Sequence, residues 1–90
     1  MAVEVRVPAV LRQLVGDART VRVEGSTVKS VLDNLDKGYP GFKQRIMTDG
    51  HLHEFVNIYL NNEDVRFLKE LETPVADGDV VSILPAIAGG

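Results

Sequence analysis

The chain has 90 residues, 44% hydrophobic and 26% charged, enough for one small domain whose thin core leaves little room for a deep enzyme pocket. It contains no cysteine, which removes thiol nucleophiles, disulfides and thiolate metal sites and is compatible with a reducing cytoplasm, where we expect the protein. The net charge of −3 and the short apolar runs argue against nucleic-acid and membrane partners, so a carrier or binding module is favoured.

The beginning of the chain predicts two strands joined by a wide connection. Apolar and polar residues alternate over 3–7 and again over 20–24, the period-2 pattern of half-buried strands. Pro8 cannot donate to a sheet ladder, so the first strand ends there. The connection over 8–18 is expected to contain a helical turn through 10–14.

An amphipathic helix follows. From Val28 to Leu35 the apolar residues recur at i, i+3, i+4 and i+7, which places them on one helical face. Ser26 or Thr27 is available as the N-cap. Gly38, with Pro40 just beyond it, is the expected helix end.

The second half of the chain predicts one further helical segment and three strands. One or two helical turns are expected from Phe42, ending near Asp49-Gly50, then a strand over 55–60 and a short edge strand over 65–67. The turn at 77–79 precedes the most continuously apolar strand, over 80–84. A strand that is apolar on both faces belongs at the centre of a sheet, so we expect it to pair with the first strand.

This order of elements predicts an α+β protein with the ubiquitin-like β-grasp architecture. The expected sheet is mixed and has four to five strands, with one main helix packed on one face. We assign residues 1–84 to the β-grasp domain and residues 85–90 to a flexible C-terminal tail.

The polar side chains do not predict a catalytic or metal site. In an extended segment His51 and His53 would point the same way. A zinc site needs three or four ligands, so solvated loop histidines are the expectation and a metal site is not. Ser26 and Ser82 have no paired base, so no nucleophilic residue is predicted.

The tail is the unusual feature of the sequence. Its residues are almost free of large side chains: Pro85, Ala86, Ile87, Ala88, Gly89 and Gly90. Six extended residues reach roughly 20 Å, so such a tail can thread a narrow channel that excludes branched side chains. The unhindered carboxylate of Gly90 can be activated as a mixed anhydride with adenylate. A frayed chain end is the alternative.

The chain resembles the ubiquitin-like sulfur carrier proteins, which include the molybdopterin synthase small subunit, the thiamine sulfur carrier and the carrier of cysteine biosynthesis. The likeness lies in Asp-Gly-Asp at 77–79, Val-Val-Ser-Ile-Leu-Pro at 80–85 and Ala-Ile-Ala-Gly-Gly at 86–90. The opening segment 3–8 is similar too. Residues 52–66 look particularly like the cysteine-biosynthesis carrier.

The resemblance implies a carrier that is not itself an enzyme. A ubiquitin-activating-type adenylyltransferase and sulfurtransferase would use ATP to adenylate Gly90, and a sulfur donor would displace adenylate to leave a thiocarboxylate. In the cysteine branch, the thiocarboxylate would attack the aminoacrylate that a PLP-dependent cysteine synthase forms from O-phosphoserine. A metal-dependent peptidase would then release cysteine from Gly90. Residues 85–89 would thread into these active sites, and the carrier itself would bind no cofactor.

Three other functions are kept open. The molybdopterin synthase small subunit would use the same thiocarboxylate, although its tail more commonly has two prolines and a valine where this chain has Pro-Ala-Ile at 85–87. A ubiquitin-like modifier would join Gly90 to lysines of target proteins. A plain β-grasp interaction domain would have no use for Gly89 and Gly90.

Two expectations concern the partner surface. Leu60, Val65 and Phe67 are expected to form an exposed apolar patch near the sheet edge. From Glu54 onward, seven acidic residues against two basic ones give a net charge of −5, whereas the first 53 residues have a net charge of +2. An acidic surface near the tail would steer docking to basic entrances on partner enzymes, with an ordinary solvated surface as the alternative.

Overall fold

Five strands form the main sheet, and two more form a small hairpin. The computed structural model describes residues 2–49, 51–53 and 56–85. Within this part of the chain the strands are β1 (Ala2–Arg6), β2 (Thr20–Glu24), β3 (Met47–Thr48), β4 (His51–Leu52), β5 (Val56–Leu60), β6 (Glu63–Asp64) and β7 (Val80–Pro85). The helices are α1 (Val28–Gly38) and α2 (Phe42–Ile46), with 3₁₀ helices at Ala9–Val15, Val65–Phe67 and Glu70–Glu72.

The main sheet is mixed, and its order is β2-β1-β7-β5-β6. The last strand, β7, lies at the centre, parallel to β1 and antiparallel to β5. Val81 and Ile83 of β7 are buried because they point into the core. The predicted pairing of the first and last strands is therefore confirmed, and so is the α+β class with one main helix.

Helix α1 begins with a reciprocal capping box. The side chain of Thr27 accepts a hydrogen bond from the backbone N–H of Ser30 at 3.1 Å, and Ser30 Oγ accepts one from the N–H of Thr27 at 2.9 Å. Two of the amide groups that a helix start leaves unpaired are thereby satisfied. Gly38 is the last residue of the helix, as predicted, and the N–H of Tyr39 bonds the carbonyl of Leu35 at 2.9 Å.

The core lies between α1 and one face of the sheet. The apolar face of α1 is fully buried, and each strand of the central three contributes inward-facing residues. The other buried side chains come from α2 and from the connections between elements. The largest fully buried side chains are Phe42, Leu32, Leu35, Ile46, Ile58 and Ile83.

The structure corrects two predicted elements. The helical segment expected to end near Asp49-Gly50 ends at Ile46, and Met47 begins the β3–β4 hairpin. The segment 65–67 is a 3₁₀ helix instead of an edge strand, and the edge strand is β6 just before it. Asp64 starts this helix because its carboxylate accepts a hydrogen bond from the N–H of Arg66 at 2.9 Å.

The first connection contains the predicted helical turn, and it is longer than expected. The 3₁₀ helix Ala9–Val15 joins β1 to β2 and buries Leu11 and Val15. Gly16 ends it with a left-handed backbone (φ +67°), a conformation that favours glycine.

In the part of the chain that the structure describes, no helix has the length and apolar character needed to span a membrane.

Candidate functional site

The predicted reactive end of the chain follows directly after β7. Gly90 and the tail residues 86–89 lie outside the described residues, so their roles stay predictions. Pro85 was predicted to belong to the tail, with the strand ending at Leu84, but it is the last residue of β7 and lies opposite Val56 of β5. Leu84, just before it, lies opposite Asn57 and is 46% exposed. The base of the tail is thus the end of the central strand.

The three residues predicted as an apolar partner surface do not form one patch. Phe67 is 87% exposed, and the adjacent Leu68 is 39% exposed. Val65 is completely buried, so its predicted exposure is wrong: the 3₁₀ helix turns its side chain into the core. Leu60 is half-buried and packs against the core. Of the predicted patch, Phe67 is therefore the residue that a partner can reach in full.

The two histidines lie in and after the small hairpin. His51 is in β4 opposite Thr48 of β3. The ring Nε2 of His53 lies 3.1 Å from Thr48 Oγ1, a hydrogen bond whose donor depends on the tautomer. Among the residues described, no three His, Asp or Glu side chains are placed to hold a metal ion together.

A groove of about 570 Å³ lies beside the end of β7. Arg6 of β1 is opposite Ser82 of β7, and Ser82 is opposite Tyr59 of β5, so these side chains form one row across three strands. Directly opposed residues share a face of a sheet, and this row lies on the face that α1 does not cover. Pro8 and Leu84 also line the groove.

Three arginines line this groove, and they come from separate segments. Arg6 ends β1, Arg12 belongs to the first 3₁₀ helix and Arg19 precedes β2. Nε of Arg12 donates a hydrogen bond to the carbonyl of Val7 at 3.0 Å, which holds its guanidinium in place. Nε of Arg6 donates to Glu4 Oε2 at 3.2 Å. No acidic side chain is among the described lining residues. We call this feature the arginine groove.

The surface near the tail was predicted to be acidic, but the described lining of this groove contains three arginines and no acidic side chain. Asp77 and Asp79 lie in the turn before β7, at the end of the strand opposite to Leu84. Because β7 runs parallel to β1, the arginine that ends β1 lies next to the end of β7. The count of charges along the sequence did not show that Arg6 lies beside the end of β7. The predicted pairing of the first and last strands is the signal that could have found it.

Two features of the molecule define its class. The mixed five-stranded sheet with α1 on one face is the ubiquitin-like β-grasp fold, and the sequence carries Gly89-Gly90 as the fourth and fifth residues after its central strand. This class contains sulfur carriers and protein modifiers. Residues 5–90 match the ThiS family, and the chain belongs to that family.

The similar proteins include a sulfur carrier and a modifier. The sulfur carrier protein CysO of Mycobacterium tuberculosis is 47% identical over 93 aligned residues, which cover 100% of both chains. The small archaeal modifier protein 3 of Haloferax volcanii is 37% identical over 92 residues, again 100% of both chains.

A solved structure of the same kind confirms the fold. A chain in the crystal structure of the Amycolatopsis orientalis BexX/CysO complex superposes with a TM-score of 0.92 at 43% identity, covering 98% of this chain and 99% of that one. The predicted resemblance to sulfur carrier proteins is therefore confirmed over essentially the whole chain.

Proposed function

We propose that this protein carries sulfur as a thiocarboxylate on Gly90 and delivers it to a PLP-dependent cysteine synthase that uses O-phosphoserine. The observation that carries the proposal is the 47% identity, over the full length of both chains, with a sulfur carrier protein of Mycobacterium tuberculosis. The Gly89-Gly90 pair and the small residues before it fit a tail that enters narrow channels.

In the proposed chemistry, the terminal carboxylate of Gly90 is the only group of the carrier that reacts. A Gly90 carboxylate oxygen attacks the α-phosphorus of ATP and pyrophosphate leaves, which gives the acyl adenylate. A sulfur donor attacks the acyl carbon and adenylate leaves, so that the thiocarboxylate remains. ATP and PLP are used by the partner enzymes, and a metal-dependent peptidase releases the cysteine product. The carrier supplies a rigid support, because β7 is paired on both sides.

The test is intact mass spectrometry on protein prepared with a Gly90 thiocarboxylate. It is incubated with O-phosphoserine and a PLP-dependent cysteine synthase from the same source. We expect the protein to gain the mass of one aminoacrylate unit. The control lacks Gly89 and Gly90 and should gain nothing. An unreacted thiocarboxylate would reject this acceptor, and the large subunit of molybdopterin synthase would be tested next.

A second candidate function is a ubiquitin-like protein modifier, in which Gly90 is joined to lysines of target proteins. The observation that favours it is the full-length likeness to the small archaeal modifier protein 3 of Haloferax volcanii. A modifier would appear in cell extract as conjugates of higher mass that vanish when Gly89 and Gly90 are deleted. A carrier with no modifier activity would show none.

A further inference from the structure

The edge of the main sheet at β2 presents backbone groups that no other part of the described chain uses. We propose that an extended segment of a partner protein, in which apolar and acidic residues alternate, binds this edge as an additional strand. This inference goes beyond sulfur transfer and does not depend on it.

The hydrogen bonds of β2 show which of its backbone groups face outward. In an antiparallel pair, residues that bond the neighbouring strand alternate with residues that do not. The carbonyl of Arg19, directly before β2, accepts a hydrogen bond from the N–H of Val7 at 2.9 Å. Every second residue after Arg19 therefore also bonds β1. The residues between them, Thr20, Arg22 and Glu24, direct their N–H and carbonyl groups away from the sheet.

One end of this edge is closed, and the rest is open. Asn34 of α1 donates a hydrogen bond to the carbonyl of Glu24 at 2.7 Å, so α1 covers the last residue of the strand. No described residue bonds the outward N–H and carbonyl groups of Thr20 and Arg22. A groove of about 420 Å³ lies beside these two residues. An added strand can therefore pair with both of them.

The opposite edge of the sheet offers less to a partner. The strand β6 has two residues. Nη2 of Arg66 donates a hydrogen bond to the carbonyl of Val56 at 3.2 Å, which occupies a group of β5 that β6 does not reach. Since an unpaired edge is a template for another strand, β2 is the edge at which pairing is expected.

The side chains of β2 determine which segment fits. Arg22 is exposed and forms no ion pair with a described residue, while Glu4, opposite it on β1, pairs with Arg6. An acidic residue across from Arg22 would form a cross-strand ion pair, and a basic residue would be repelled. On the other face of the sheet, Val21 packs against the core, which favours an apolar neighbour. Because side chains alternate along a strand, the segment should alternate apolar and acidic residues.

The test follows backbone hydrogen exchange by NMR in the full chain during titration with the peptide acetyl-Val-Glu-Val-Glu-Val-Glu-amide. We expect the peptide to slow exchange at Thr20 and Arg22, and to leave Val21 and Val23 unchanged because they already bond β1. The variant Arg22→Glu should weaken binding at least about tenfold, because like charges would then face each other. Arg45→Glu makes the same charge change at an exposed position of α2 and should bind as wild type.

Two control peptides distinguish strand pairing from attraction between charges. A peptide with N-methylated glutamates retains every side chain but lacks the N–H groups that pair with the edge, so it should not bind. A peptide with lysine in place of glutamate should not bind either. Binding of the methylated peptide, or no added protection at Thr20 and Arg22, would overturn the inference. Protection of these amides that rises with protein concentration when no peptide is present would also overturn it, because the occupant would then be a second copy of the chain.

Discussion

Val65 and Phe67 are two positions apart, yet their side chains have opposite environments. Val65 is completely buried and Phe67 is 87% exposed. The sequence predicted both as exposed because it placed them in a short strand at the sheet edge, where residues two apart would share a face. A 3₁₀ helix of three residues per turn separates them instead. The signal for it was local: Asp64 is a good N-cap residue directly before the apolar Val65.

This difference predicts two distinct effects of truncation to alanine. Val65→Ala is expected to lower the free energy of unfolding by about 2 kcal/mol, because it removes buried methyl groups and leaves a cavity. Phe67→Ala is expected to leave the unfolding midpoint in urea unchanged and to raise KM for adenylation, because an exposed aromatic contacts the partner. If Phe67→Ala melts as wild type and is adenylated with unchanged KM, Phe67 is not part of the partner surface.

Helices and strands whose hydrophobic pattern extends over five or more residues could be predicted from the sequence. The two-residue strands could not. Helix α1 has four buried residues at helical spacing, β1 alternates over five residues, and β7 is a nearly continuous apolar run. The strands β3 and β4 have two residues each, too few to show a period. In the hairpin Met47 lies opposite Leu52. No sequence pattern within either two-residue segment indicates that pairing.

Helix α2 depends on a contact from α1. Its N-cap residue is Gly41, which has no side chain to accept a hydrogen bond. Asp36 of α1 supplies the acceptor instead: its Oδ1 accepts the backbone N–H of Lys43 at 2.9 Å. The Lys43 ammonium in turn pairs with Asp33. The start of one helix is thus capped by the other.

Loss of this acceptor should destabilise α2. Asp36→Ala is expected to lower the free energy of unfolding by about 1 kcal/mol, the usual effect of removing a capping side chain. It should also speed hydrogen exchange at the Lys43 amide. Asp36→Asn retains an oxygen acceptor and is the matched control, so it should lose clearly less. Equal losses for alanine and asparagine would mean that the charge, and not the hydrogen bond, matters.

On the scale of the whole molecule, the order of strands in space differs from their order in the chain. The predicted pairing of β1 with β7 gave the centre of the sheet correctly, because a strand that is apolar on both faces was expected at the sheet centre. The arginine groove was missed because Arg6, Arg12 and Arg19 come from three segments whose meeting depends on this topology. The roles of Gly90 and residues 86–89 stay predictions, since they lie outside the described part of the chain.

The sequence predicts residues 85–90 as a flexible tail that does not pack on the domain. Deletion of residues 86–90 is therefore expected to change the free energy of unfolding by less than about 0.5 kcal/mol while abolishing adenylation. Val81→Ala, at a fully buried position of β7, is the contrasting variant and should destabilise the fold. Urea unfolding of both proteins checks this. A large loss of stability on deletion would mean that the tail packs on the domain.

The double pairing of β7 also determines how the protein bears a mechanical load. Under the proposed function, a partner that drew the tail into its channel would pull along the axis of β7. Three register pairs with β1 and five with β5 resist this pull in shear, so the bonds on both sides must slip together and cannot open one at a time. A strand at the edge of the sheet is hydrogen-bonded to a neighbouring strand on one side only. A pull on the end of the chain along the strand axis therefore loads both neighbours of β7 at once and does not open the sheet pair by pair.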